Sequence, residues 1–197
     1  LPSGHPYYHK DIKVKAYDPQ KATKLLDSAG LKISSGRMRF DLNLQMPFSP
    51  TRMAVAKAIQ SDLKKIGIRV RISSLEWGVF QENVKRGAAD MWLLSWIGFK
   101  DPDIYRYAFS GDSFPPKGAN RGLYHNAALD KLLIEGKTSV NESKRMQVYK
   151  RIQEIIADDD PYVFLFHDKM VAVVNKAVKG FRVFADGRYS SLAYSFK

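Results

Sequence analysis

The stretch from Met38 to Ser73 most limits what this chain can fold into. Met38, Phe40, Leu42, Leu44 and Met46 alternate with polar residues, the period of a strand with one buried face. Ser49-Pro50 then offers a cap and a first-turn proline. Met53, Ala56, Ile59, Leu63 and Ile66 recur at helical spacing until Gly67 stops the pattern. Ile68 to Ser73 is a second strand, with Arg69 and Arg71 on its exposed side. A strand–helix–strand unit of about thirty residues reads as a βαβ crossover with two parallel, neighbouring strands. The predicted class is α/β, a mixed sheet with flanking helices. Met91 to Ser95 is nearly all apolar and is expected as a central strand buried on both faces.

Other segments read by the same signals. Residues 1–17, with Pro2, Pro6, Tyr7 and Tyr8, lack a helical period and read as an irregular, packed segment. Asp18-Pro19 starts a helix that carries Ala22, Leu25, Leu26 and Ala29 on one face and stops at Gly30. Glu76 to Arg86 is a shorter helix with Phe80 and Val84 inward, ended by Gly87. Helices are expected at about 103–109, 127–136 and 141–159. The last has Met146, Tyr149, Ile152, Ile155 and Ile156 on its core face. Tyr162 to Phe166 and Val171 to Val174 read as strands, and 175–197 as short strands and turns.

Composition narrows the chemistry. At 197 residues and 45% apolar content, the chain can build a core without metal or disulfide. Its longest apolar runs fall far short of the roughly 20 residues of a membrane span. No signal peptide is visible, and the first residue is Leu1 rather than Met, which reads as a processed form or a piece of a longer protein. There is no cysteine, so thiol catalysis and thiolate metal sites are excluded. The net charge of +12 raises nucleic acid as a partner. However, Lys57, Lys64, Lys65, Lys144, Arg145, Lys150 and Arg151 are spread over helices and read as solvated faces, so no nucleic-acid footprint is expected.

Catalytic patterns are lacking. His5 and His9 sit in an irregular segment with no third ligand indicated, so no metal is expected. No G-x-S-x-G, P-loop or G-x-G-x-x-G motif is present. The run Asp158-Asp159-Asp160-Pro161 reads as a solvated turn. The expectation is no enzyme, no catalytic residue and no cofactor. Binding has better support. Trp96 follows a predicted strand directly, either as a core or hinge aromatic or as a ligand contact of low entropy cost. Gly98 lets a backbone approach closely. Asp101-Pro102-Asp103 can cap the next helix. Asn120, Arg121, Tyr124 and Asn126 make a second polar loop suited to a peptide-like backbone, although turn formation explains Asn126 equally well.

The order of these segments resembles one family. Tyr17-Asp18-Pro19 with Leu25-Leu26, Arg52 with Ile59-Gln60 and Ile66-Gly67, Glu76-Trp77 with Phe80, Trp96-x-Gly98, Asp101-Pro102-Asp103, and Tyr124-x-Asn126 with Leu132-Leu133 are similar to motifs of the family-5 extracellular solute-binding proteins. Tyr149, Gln153, Asp160-Pro161 and Val178-Lys179-Gly180-Phe181 complete the series. These are the substrate-binding proteins of peptide-type ABC importers. The resemblance implies the C-terminal lobe of a two-lobed periplasmic-binding-protein fold. Residues 1–170 would form that lobe, incomplete at its N-terminal side. Residues 171–197 would be a tail returning across a hinge near Lys169–Val171 toward the missing first lobe. The implied partners are that lobe, a peptide or other small solute, and a membrane ABC permease. The implied location is periplasmic or extracellular, with a lipoprotein anchor open. Ligand contacts would come from Trp96, Gly98, Phe99, Asp101, Asn120, Arg121 and Tyr124. A non-peptide solute, such as a sugar oligomer or metal chelate, is the alternative within the family; a basic nucleic-acid-binding domain is the alternative outside it.

The chain departs from the family pattern twice. Dipeptide-binding members carry an acidic residue after W-x-G for the ligand's α-amino group. Here that place holds Phe99, in a loop about one residue shorter. They also carry an arginine for the ligand carboxylate after the earlier M-P. Met46-Pro47-Phe48-Ser49-Pro50 has none. A buried charged terminus without a partner costs several kcal/mol. Strict dipeptide recognition is therefore not expected, and Asp101 could substitute only if the shorter loop re-aims it.

Overall fold

A computed structural model describes residues 1–33, 36, 38–97, 100–169, 171–184, 193 and 195. The chain divides into two compact units, Val14–Ser95 and Leu1–Lys13 with Trp96–Lys197.

In the Val14–Ser95 unit, β1 (Phe40–Pro47), β2 (Ile68–Leu75) and β3 (Met91–Trp92) form a sheet of order β2-β1-β3. Both pairings are parallel, with Phe40 opposite Ile68 and Leu44 opposite Met91. The crossover between β1 and β2 is α2 (Pro50–Lys65), whose cap Ser49 accepts from the Arg52 amide at 3.3 Å. Met53, Leu63 and Ile66 cover Leu44, Met46, Ala56, Ile68 and Val70, which form this unit's core. Two further helices are α1 (Pro19–Ser28) and α3 (Trp77–Lys85). Their caps are Asp18, on the Lys21 amide at 2.8 Å, and Glu76, on the amides of Gly78 and Val79.

Three expectations need correction here. First, β1 has no solvated face at its C-terminal half. Leu44, Gln45, Met46 and Pro47 are all buried. The polar side is covered by α3, and the Gln45 amide is satisfied there by Ala88 O and Asn83 Nδ2 at 3.1 and 3.0 Å. Second, among the described strands β1 is central and β3 lies at an edge. Among the described residues Met91 and Trp92 pair with Leu44 and Gln45, the Leu93 amide donates to Gln45 O at 3.0 Å, and Met91 to Leu94 are half-buried. An apolar run signals burial, but strand order depends on partners far away in sequence. Third, α1 has no buried residue, and Leu25 is exposed. The α/β class holds, with both described pairings parallel and helices flanking the sheet.

The second unit is helical. α4 (Ile104–Phe109), a 3-10 turn (Gly111–Ser113), α5 (Ala127–Thr138) and α6 (Glu142–Asp159) pack around Tyr105, Ala108, Phe109, Leu129, Leu133, Val148, Tyr149, Ile152 and Ile156. Each large apolar side chain buried here contributes roughly 1.5–3 kcal/mol. Met146 instead lies exposed. The irregular segment 1–13 is tied to α6 through Gln153, which donates to Tyr7 O at 2.9 Å and accepts from the His9 amide at 3.3 Å. The strands expected at 162–166 and 171–174 do not form. Val163, Phe164, Phe166, Val171 and Val173 are exposed, and no strand pairs with them among the described residues. A strand sequence without a neighbouring strand has no ladder to join. Of the tail, 185–192, 194, 196 and 197 lie outside the described residues, as does Met170 at the expected hinge.

Candidate functional site

The second unit gathers most of the expected site residues on two loops. Trp96 is half-buried against the helical core. Its ring meets Tyr107 edge-on at 5.9 Å, and the Arg121 guanidinium lies 5.5 Å from its centroid. An aromatic ring with a cation on its face is held at low entropy cost. Gly98 and Phe99 lie outside the described residues.

Asp101 is held by its neighbours. Its carboxylate takes Arg145 Nη2 on both oxygens at 2.7 and 2.9 Å, and the Asp103 amide on Oδ1 at 2.8 Å. Burial pushes its carboxyl up, but the Arg145 hydrogen bond and the Asp103 amide outweigh that and hold it below the usual carboxylate range. Asp103, at the α4 cap position, makes no side-chain cap bond. The turn is instead an Asx turn made by Asp101.

Asn120 is fully buried. Its Nδ2 donates to Ser110 O at 3.0 Å and Tyr124 O at 2.7 Å, and its Oδ1 accepts from the Tyr124 amide at 3.1 Å. Both of its donors and one acceptor position are thus spent on the shape of this loop, and its work is to aim Tyr124. The Tyr124 hydroxyl donates to Asp159, which also takes Asn126 Nδ2 at 2.9 Å. Burial, then the Asp159 hydrogen bond, pushes the Tyr124 hydroxyl up to about 12. Asn126 caps α5 through the amides of Ala128 and Leu129 at 3.0 and 3.1 Å. The second Asp of the triple run, expected in a solvated turn, is thus the last residue of α6 and a loop anchor.

Sequence reasoning missed Arg145, which it placed on a solvated face. Nε donates to Gly136 O at 2.8 Å and Nη1 to the Tyr7 hydroxyl at 3.1 Å. The guanidinium stands 5.1 and 5.2 Å from the ring centroids of Tyr7 and Tyr149. Nothing local marks it among the neighbouring cations, because its partners lie elsewhere in the chain. Lys57, Lys64, Lys65, Lys144, Lys150 and Arg151 are exposed as expected. Among the described residues no group of three or more His, Asp or Glu side chains is placed to hold a metal ion. No described helix is long and apolar enough to cross a membrane.

A loop aromatic with a cation on its face offers a surface against which a solute can be held. Residues 1–115 match the family model for bacterial extracellular solute-binding proteins, family 5, middle region. The chain belongs to that family. A dipeptide-binding protein of Pseudomonas aeruginosa is 33% identical over 178 residues, which cover 89% of this chain and 33% of that protein. The oligopeptide-binding protein AppA of Bacillus subtilis, solved with a nonapeptide, shares the fold at a TM-score of 0.78 and 26% identity, over 94% of this chain and 38% of that one. NikZ of Campylobacter jejuni, solved with Ni(L-His), superposes at 0.70 with 26% identity, over 79% of this chain and 33% of that one. This family-5 chain thus spans about a third of the length of the curated relatives it matches. Those relatives are named as dipeptide- and oligopeptide-binding proteins.

Proposed function

We propose that, in a protein of the relatives' full length, this chain is the larger part of one lobe of a peptide-capturing component of an ABC importer. The peptide or peptide-like solute is held between lobes and passed to a membrane permease. Residues 1–170 belong to the capturing lobe, and 171–197 return toward the other. The exposed apolar side chains Val163, Phe164, Phe166, Val171 and Val173 support that reading, since such a run is stable when covered. Capture works as a population shift: ligand contacts made only in the closed form move the open–closed equilibrium toward it.

The observation that carries the proposal is the Trp96 platform. Its ring is braced by Tyr107 and Arg121 and offers a flat apolar surface with a cation beside it. Tyr124, aimed by Asn120, adds a second contact, and Gly98 and Phe99 complete the set that the family resemblance implies. A metal chelate is the second reading, supported by the likeness to NikZ in its nickel–histidine complex. Mass spectrometry of solutes that co-purify with the full-length protein tests both. Peptides of two or more residues are expected. A recovered metal chelate, with no peptide, would overturn the peptide reading.

A further inference from the structure

The loop after Trp96 has only one described acidic group free of α4, Asp101, and its surroundings show what it does. Both of its oxygens face Arg145 Nη2, and Oδ1 also serves the Asp103 amide. A carboxylate has about four acceptor positions, so three are in use. Arg145 cannot follow if Asp101 turns elsewhere. Its Nε is fixed to Gly136 O, its Nη1 to the Tyr7 hydroxyl, and its plane rests against the Tyr7 and Tyr149 rings. Asp101 is itself more than half exposed at 57%, so solvent screens the pair and the geometry matters more than the ion-pair energy.

We infer that Asp101 is a positioning residue, a latch that fixes the Trp96 loop to α6, and that this loop reads its solute without pairing a free α-amino group. The selected class is then a peptide-like solute whose amino end is neutral or is not recognised at this loop. This deepens the peptide-capture proposal and rests on it.

The test compares a tripeptide mixture with the same mixture N-acetylated, by competition calorimetry on the wild-type full-length protein. A site that pairs a desolvated ammonium with a carboxylate loses roughly 30-fold or more on acetylation. The latch predicts a change below about threefold, since no such pair is lost. Asp101→Asn should weaken both mixtures alike, roughly fivefold, leaving their ratio unchanged, and Arg145→Lys should do the same. The Asp101→Asn/Arg145→Lys double variant should lose little more than either single one, because both break one linkage. A strong preference for the free amine that Asp101→Asn abolishes overturns the latch and leaves peptide capture standing. Binding of neither mixture overturns peptide capture, and this inference with it. The wild-type comparison stands even if a variant does not fold.

Discussion

Gly136 shows how much of this unit hangs on single atoms. A Cβ there would sit 3.0 Å from Cε2 and Cζ of the fully buried Tyr149 ring. Helix propensity favours Ala over Gly by roughly 1 kcal/mol, while overpacking a fixed ring costs about 1–3 kcal/mol. Gly136→Ala should therefore lower stability by about 1 kcal/mol, read as a lower Tm; a raised Tm would show that the α5–α6 contact yields easily. Asp101 gives a pH prediction. Its folded pKa is depressed, so it contributes stability above its unfolded value, near the ordinary 3.8, and that stability is lost as pH falls through the lower folded value. Acid melts should show a steeper loss below about pH 4 in the wild type than in Asp101→Asn. Equal slopes would mean that the pair is too screened to matter. The polar roles were the hardest to read from sequence. Arg145 finds Tyr7 138 residues away and Asp101 44 away. Asn120, whose partner Tyr124 is four residues on, sits in a recognisable turn, yet its burial depends on the helices around it.

Elements were legible where their signals are local. Asp18, Ser49 and Asn126 cap the helices that the sequence places after them, and Glu76, read as the first residue of its helix, proves to be the cap, because a cap needs only the next two or three amides. The parallel pairing of β1 with β2 followed from the length of the crossover. Strand order did not follow. Met91–Leu94 looked central and lies at an edge among the described strands, whereas Gln45 looked solvated and is buried, since each depends on what another element covers. Tyr162–Phe166 had the composition of a strand, yet no strand runs beside it among the described residues. The α4–α6 group also predicts alkaline behaviour. Burial pushes the Tyr105 and Tyr162 hydroxyls up, and burial foremost takes those of Tyr149 and Tyr124 to about 12. For an acid whose folded pKa is raised, stability is whole below the unfolded value of 10 and is lost as pH rises through the folded value. Tyrosinate absorbance should therefore show a group of late-ionising tyrosines, with unfolding setting in between pH 10 and about 12. A single titration step near 10 for all ten tyrosines would contradict this packing.

At the scale of the molecule, the family and its α/β class were readable because the motifs keep their order along the whole chain. The ligand was not, because the sequence carries neither ionic anchor at the motif positions that the resemblance implies, and this chain spans about a third of its relatives' length. A single wall offers few contacts, and association costs at least several kcal/mol in lost freedom. The 197-residue chain alone should therefore bind peptides weakly, and calorimetry giving micromolar affinity for a defined peptide would contradict the half-site account. The most direct test of the central claim is a titration of the full-length protein, wild type against Trp96→Ala, with a peptide recovered from it. If the Trp96 ring is the contact surface, affinity falls by about 1–3 kcal/mol, roughly 5- to 150-fold, as for interface aromatics generally. Unchanged affinity, with only a lowered melting temperature, would show that Trp96 is a core residue and that capture is built elsewhere.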